Sequence, residues 1–414
     1  MDTGILRPSG DYPESWVQMV FDQFSTLKRG KDLTRDKFRD GSVPVAGSNG
    51  VIGFHDTANV KAPGITVGRS GSVGRITFFT QDFWAHNTAL FVADLHGNDA
   101  RFAAYFLNFL KLDRFGSGVS VPTLDRNSFR LMPVTVPPLA EQRKIAAVFG
   151  LVQRAMEQQE RLIALTTELK TALLYRLFTQ GLRGEPQKQT EIGPVPRSWE
   201  VATLENSAVA FDYGTSVKCE HGKAGVPVLR IPNVVGGSID LSDLKYGQPK
   251  RNELAQLRLQ DGDLLFVRTN GVMENAGRCA LYRGELKDCY FASYLIRVRV
   301  DPSKVLPAFV NEYARTERGR SLLSGRAIRT ADGKFNINSG TLKRVLLPLP
   351  NVGEQREMVS QFDLVEQKLG LHQRKLATLT ALFRTLLHQL MTAQIRVHNL
   401  DLPESETATA RGRP

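Results

Sequence analysis

Cysteine is scarce in this chain of 414 residues: Cys219, Cys279 and Cys289 are the three, and no two of them sit in Cys-x-x-Cys spacing. An odd count without paired spacing argues against a disulfide framework and against a structural zinc site. No apolar run approaches a membrane span, and Met1-Asp2-Thr3-Gly4 lacks the basic and apolar blocks of a signal peptide. A cytoplasmic protein without a membrane partner is the expectation. His55, His86, His96, His221, His372, His388 and His398 form no His-Glu-x-x-His spacing, and Cys219 beside His221 is no dyad by adjacency alone. There is no Gly-x-Ser-x-Gly elbow, and no Asn/Asp-Pro-Pro-aromatic loop of the kind that holds a flipped base. Each absence is a small fact. Together they argue against catalysis by this chain and against a metal site.

Acidic residues are the minority, 42 against 54 Lys and Arg, so the formal charge is +12 and the pI is near 9.7. That balance favours a polyanionic partner, and without a membrane segment the partner is nucleic acid. The length exceeds one compact core and calls for two domains or more.

Glycine and proline nearly vanish from two stretches, and these organise the rest. Pro137-Pro138-Leu139-Ala140-Glu141-Gln142-Arg143 opens a run whose only breaker before Gly181 is Gly150. Pro350-Asn351-Val352-Gly353-Glu354-Gln355-Arg356 opens a second, interrupted by Gly370. A shift of 213 positions superposes the Glu-Gln-Arg triplets and matches Phe149 to Phe362, Val152 to Val365 and Leu173 to Leu386. This is an internal repeat. Met358, Phe362, Val365, Leu369, His372, Leu376, Leu379, Phe383, Leu386 and Leu390 follow the 4-3 alternation of a coiled-coil seam, and the first copy carries the same frame from Ile145 to Leu177. Roughly 40 residues at 1.5 Å each make a rod of about 60 Å, a spacer rather than a pair of long core helices. The echo reaches further, since Pro13-Glu14-Ser15-Trp16 is answered by Pro196-Arg197-Ser198-Trp199. The expected division is a first domain over 1–136, a helix over 137–183, linker and second domain over 184–350, a helix over 351–396 and a disordered tail over 397–414.

Both globular segments read as short strands with Gly-rich turns and one short helix, strand-rich mixed α/β domains in an α+β chain. The loop Gly68-Arg69-Ser70-Gly71-Ser72-Val73-Gly74 invites a phosphate cradle, but it leads into the strand-like Arg75-Ile76-Thr77-Phe78-Phe79 rather than a helix. A turn whose glycines permit positive φ is the better reading. Such loops still offer Ser48, Asn49, Arg69, Ser70, Ser72, Arg75, Asn87 and Arg126 to DNA in the first domain. In the second the candidates are Lys218, Arg230, Asn233, Arg268, Thr269, Asn270, Arg326 and Arg329. Two other classes stay open: an enzyme using the Gly68–Gly74 loop on a nucleotide, and a coiled-coil scaffold without DNA affinity.

The order of motifs resembles the specificity subunit of type I restriction–modification enzymes from about Trp16 to Gln394. Carrying the likeness are Pro44-Val45-Ala46-Gly47-Ser48-Asn49-Gly50-Val51-Ile52-Gly53, the Gly68–Gly74 loop, Trp84-Ala85-His86-Asn87-Thr88-Ala89-Leu90, Val121-Pro122-Thr123-Leu124-Asp125-Arg126 and the Glu-Gln-Arg helices. Phe266-Val267-Arg268-Thr269-Asn270-Gly271 and Phe291-Ala292-Ser293-Tyr294-Leu295-Ile296 resemble a second variety of the same domain. The resemblance implies two target-recognition domains separated by two long antiparallel coiled-coil helices, each domain reading one half of a split site on double-stranded DNA. It implies no cofactor and no catalytic residue in this chain itself, with two methyltransferase subunits carrying S-adenosylmethionine, and restriction subunits using ATP and magnesium, as partners. Within the helices Glu141, Gln142, Arg143, Phe149, Val152, Leu173, Glu354, Gln355, Arg356, Phe362, Val365 and Leu386 are the expected spacer and subunit-contact residues. A related modification or phage-defence system without a motor is the alternative. For Val121-Pro122-Thr123-Leu124 the second domain has no clean counterpart, and Gly325-Arg326-Ala327-Ile328-Arg329-Thr330 is the expected stand-in.

Overall fold

The computed structural model describes residues 12–118, 121–222, 224–397 and 400. It forms two compact units, one within Met1–Glu160 and Arg374–Pro414, the other Arg161–Gln373.

In the first unit Val17–Val20 pairs antiparallel with Pro133–Val136, bringing the two ends of the globular segment together. Between them lies an antiparallel sheet in the order Thr26–Arg29, Ala89–Asp94, Gly64–Gly68, Ile76–Phe79. A second sheet holds Gly50–His55, Val43–Gly47 and Trp84–Ala85, the last pair parallel. The strand Gly64–Gly68 is buried along its whole length, Thr66 included. The helix Ala100–Leu110 starts where the Asp99 carboxylate accepts the Phe102 N–H at 2.9 Å, and stops at Lys111 in the left-handed region. Its Phe102 and Phe106 join Phe21, Phe24 and Phe129 in the core.

The second unit repeats this plan. Glu200–Thr203 pairs with Leu346–Leu349. An antiparallel sheet runs Ala208–Tyr213, Leu295–Val300, Leu264–Val267, Cys279–Leu281. A three-stranded sheet holds Lys245–Gly247, Val226–Leu229 and Tyr290–Phe291, again with the last pair parallel. The helix Pro307–Arg315 takes the place of Ala100–Leu110, and the core gathers Trp199, Phe266, Phe309 and Tyr313.

Two long helices, Leu139–Gln180 and Val352–Met391, pass through both units. In the first unit Phe149 packs on Phe383, 5.3 Å between ring centroids; in the second Phe178 stacks on Phe362 at 5.9 Å. Arg396 reaches Glu141 in the first unit and Lys170 pairs with Glu366 in the second, so within each unit the helices run antiparallel. Seam residues Ile145, Phe149, Leu177, Met358, Phe362 and Leu390 are buried, whereas Leu151, Leu169, Leu364 and Leu382 stay exposed.

Two expectations need correction. The polar stretch after Gly181 is no open linker: Gln187–Thr190 and Gly193–Pro196 form a hairpin, with Ile192 and Val195 buried in the second core. The tail does not begin at 397, because Val397 is buried in the first core and its carbonyl accepts the Leu400 N–H at 3.1 Å. The remainder of the expected tail lies outside the described residues.

Burial sets a pH limit on the second unit. It pushes the Cys289 thiol up to about 12 and the Cys279 thiol well above its usual range, Glu312 adding to the latter. Unfolded thiols ionise near pH 9 while these stay protonated in the fold, so the stability they contribute is present below pH 9 and lost above it. Each such group costs about 1.4 kcal/mol per pH unit. The urea midpoint should fall between pH 8 and 10.5 in reductant, and fall less in a Cys279→Ala/Cys289→Ala variant. An equal fall in both would remove the thiols from the account.

Candidate nucleic-acid interface

The globular segments are fastened to the helices by a motif used twice. The Trp16 indole N–H donates to Glu141 Oε2 at 3.1 Å, and the Trp199 indole N–H to Glu354 Oε2 at 3.2 Å. Gln142 Oε1 accepts the Asp99 N–H at 2.9 Å while its amide donates to the Pro137 carbonyl at 2.9 Å. Gln355 does the same with the Leu306 N–H at 2.8 Å and the Pro350 carbonyl at 2.9 Å. Each glutamine thus ties a long helix to the start of the short helix above it. The free side of each glutamate is filled differently: Arg396 holds Glu141 at 2.6 and 2.9 Å, and the Leu182 N–H approaches Glu354 at 3.4 Å. These four residues, read from sequence as spacer or subunit contacts, are spent inside their own units. Arg356 is exposed and Arg143 half-buried, while Val152, Leu173, Val365 and Leu386 are partly buried.

Above these fastenings, at the end of the central strand in each unit, an arginine is held in one pose. The Arg69 N–H donates to the Thr88 carbonyl at 2.9 Å and the Arg268 N–H to the Tyr294 carbonyl at 2.9 Å. Their own carbonyls accept the Leu124 and Ile337 N–H groups at 2.7 and 2.8 Å. Their Nη1 groups donate to the Asn87 and Ser293 carbonyls at 3.4 and 3.3 Å. Burial, then the neighbouring Arg29, lowers the Arg69 pKa, opposed by Asp125, but a guanidinium stays charged. In the second unit Arg268 lies 5.0 Å from the centre of the Tyr213 ring.

Several first-unit candidates gather around Arg69. Ser70 bridges to Thr123, and the Ser48-Asn49 turn touches the glycine loop: a Cβ on Gly68 would meet the Ser48 and Ser72 carbonyl oxygens at 2.6 and 2.0 Å. Asn87 donates to Asp32 at 2.6 Å beside them. Arg126 is exposed but donates to the Leu27 carbonyl at 2.9 Å. Arg75 belongs elsewhere, lining a cleft with Tyr105, Glu157 and Glu160 against the long helix. The loop continues into the strand Ile76–Phe79, so no helix N-terminus stands behind it to cradle a nucleotide phosphate.

In the second unit Thr269 and Asn270 pair with Asn336 and Phe335, and Arg329 pairs with Phe335 from the other side. Asn270 Oδ1 accepts the Val272 N–H at 3.0 Å. Asn233 leaves the candidate set: it is fully buried, and its amide is spent on the Arg230 N–H and the Asp240 and Asp243 carbonyls. Arg230 is half-committed too, bridging Asp243 at 2.7 Å. Lys218 is exposed and paired with Glu220, and Arg326 donates to the Arg344 carbonyl at 2.7 Å. The expected counterpart of Val121-Pro122-Thr123-Leu124 is also corrected. Phe335-Asn336-Ile337-Asn338 fills that place, because Ile337 bonds Arg268 as Leu124 bonds Arg69, while Ile328 pairs with Asn336 as Ser117 pairs with Thr123. Carrying the 213-residue shift back from the helices would have found it. Arg29 beside Arg69, and Tyr213 and Tyr294 beside Arg268, are not in the candidate set.

Among the described residues no group of three His, Cys, Asp or Glu could hold a metal, and no helix is long and apolar enough to cross a membrane. Residues 13–167 match the family model for the type I restriction modification DNA specificity domain. The EcoKI specificity subunit of Escherichia coli K12 is 24% identical, across 97% of this chain and 95% of its own. Residues 13–167 thus carry a type I specificity domain, and the likeness to a type I specificity subunit extends over nearly the whole chain. The MjaVIII specificity subunit of Methanocaldococcus jannaschii is 25% identical over 71% of this chain and 69% of its own. The crystal structure of the type I S subunit from M. genitalium shares the fold, with a TM-score of 0.60 at 17% identity, covering 91% of this chain and 96% of that one. The family model reaches only the first recognition segment and part of its helix. Over the second segment the likeness rests on the full-length similarity to the EcoKI specificity subunit.

Proposed function

We propose that this specificity subunit reads DNA sequence for a type I restriction–modification enzyme and catalyses nothing itself. Each unit reads one half of a split, asymmetric site on double-stranded DNA. The observation that carries this reading is the arginine pose built twice, at the end of the central strand of two units alike in plan and different in surrounding loops. Half-exposed arginines at the strand ends of a basic chain are groups that contact phosphates and guanine edges. Two methyltransferase subunits bearing S-adenosylmethionine, and restriction subunits using ATP and magnesium, are the partners this role calls for. Replacing Trp16–Val136 with the same segment of a relative should change one half of the methylated motif and leave the other as it was. A change in both halves would show that the units do not read independently.

A further inference from the structure

The two recognition faces share a fixed centre and differ around it. Gly30 and Gly214 mark the shared part: a Cβ on Gly30 would meet the Ala85 and His86 carbonyl oxygens at 2.5 and 2.1 Å, and one on Gly214 those of Phe291 and Ala292 at 2.2 and 2.4 Å. This close crossing locks the strand beside each arginine, and a hydroxyl residue, Ser70 or Thr269, follows each arginine into the same bridge. The positions around the guanidinium change character. Arg29 stands where the second unit has Tyr213, Asn87 where it has Ser293, Thr88 where it has Tyr294, and Thr123 where it has Asn336. Arg29 is exposed, and Tyr213 and Tyr294 are 39% and 58% exposed.

We propose that Arg69 and Arg268 are sequence-independent anchors on the DNA backbone, and that positions 29, 87, 88 and 123 in the first unit, with 213, 293, 294 and 336 in the second, discriminate the bases. The proposal rests on the DNA-reading function above. Two readers of unlike half-sites cannot draw their difference from a residue held identically in both. Each guanidinium also spends Nη1 on a main-chain carbonyl, which leaves less of the fork that a bidentate guanine contact needs and suits a phosphate oxygen well. A tyrosine in place of an arginine or a threonine exchanges hydrogen-bond donors for a ring face and a phenol, a change that alters which base edge fits.

The test maps modified bases by sequencing genomic DNA from cells carrying the full chain with its native partners. Arg69→Ala should leave the motif unchanged and lower the rate at which its copies are modified by roughly tenfold, evenly across sites. Arg69→Lys, which keeps the charge, should restore most of that rate, and it decides the matter if the alanine variant does not accumulate. The combined variant Arg29→Tyr/Asn87→Ser/Thr88→Tyr should change base identity in one half only. A relaxed base position in Arg69→Ala or Arg69→Lys, or an unaltered motif in a combined variant that still modifies DNA, overturns the proposal. If the parent chain directs no motif at all, the DNA-reading function fails with it, a result distinct from either.

Discussion

Lengthening both long helices by four residues, once within Glu157–Lys170 and once at the positions 213 further on, should widen the gap in the methylated motif while both halves keep their sequences. Four residues are close to one helical turn and advance the chain by about 6 Å. Against 3.4 Å per base pair that is about two base pairs of gap. Both helices must change together, because they run antiparallel within each unit and an insertion in one alone would put the apolar seam out of register. Motif mapping in cells reads the outcome as a change in gap length. An unchanged gap with intact modification would show that the helices do not set it.

Trp199→Ala should cost the protein roughly 3–5 kcal/mol, the range for deleting a large buried aromatic. Trp199 is fully buried in the second core, and its indole N–H is a donor to Glu354. Trp199→Phe separates the two contributions. It keeps most of the ring volume but leaves Glu354 with the long contact from Leu182, and should cost about 1–3 kcal/mol. Trp16→Phe should cost less, since Glu141 keeps both bonds from Arg396. Urea denaturation of the three variants gives the order directly. Equal losses for Trp16→Phe and Trp199→Phe would mean that the arginine does not sustain the buried carboxylate.

The long helices were legible because breaker-free runs with a 4-3 seam have few alternative conformations. Their fastening was not, although both partners were in view: Trp16 and Glu141 are 125 residues apart, and no local pattern records that an indole and a carboxylate will meet. The Gln187–Pro196 hairpin was hidden because only Ile192 and Val195 among its polar residues declare a buried face. Asn233 was chosen by residue type, and only burial shows that its amide is already spent. Phe335–Asn338 escaped because its spelling differs from Pro122–Asp125, though its position in the repeat does not. Pose was conserved there and side chains were not. The same divergence is what two readers of different half-sites require.

The central claim is that this chain chooses a DNA sequence. The most direct measurement maps methylated adenines across the genome of cells with the gene intact and disrupted. Disruption should remove one split motif, two short unlike halves around a fixed gap, and leave every other methylated sequence unchanged. An identical pattern in both cells, with the methyltransferase partner expressed, would contradict it.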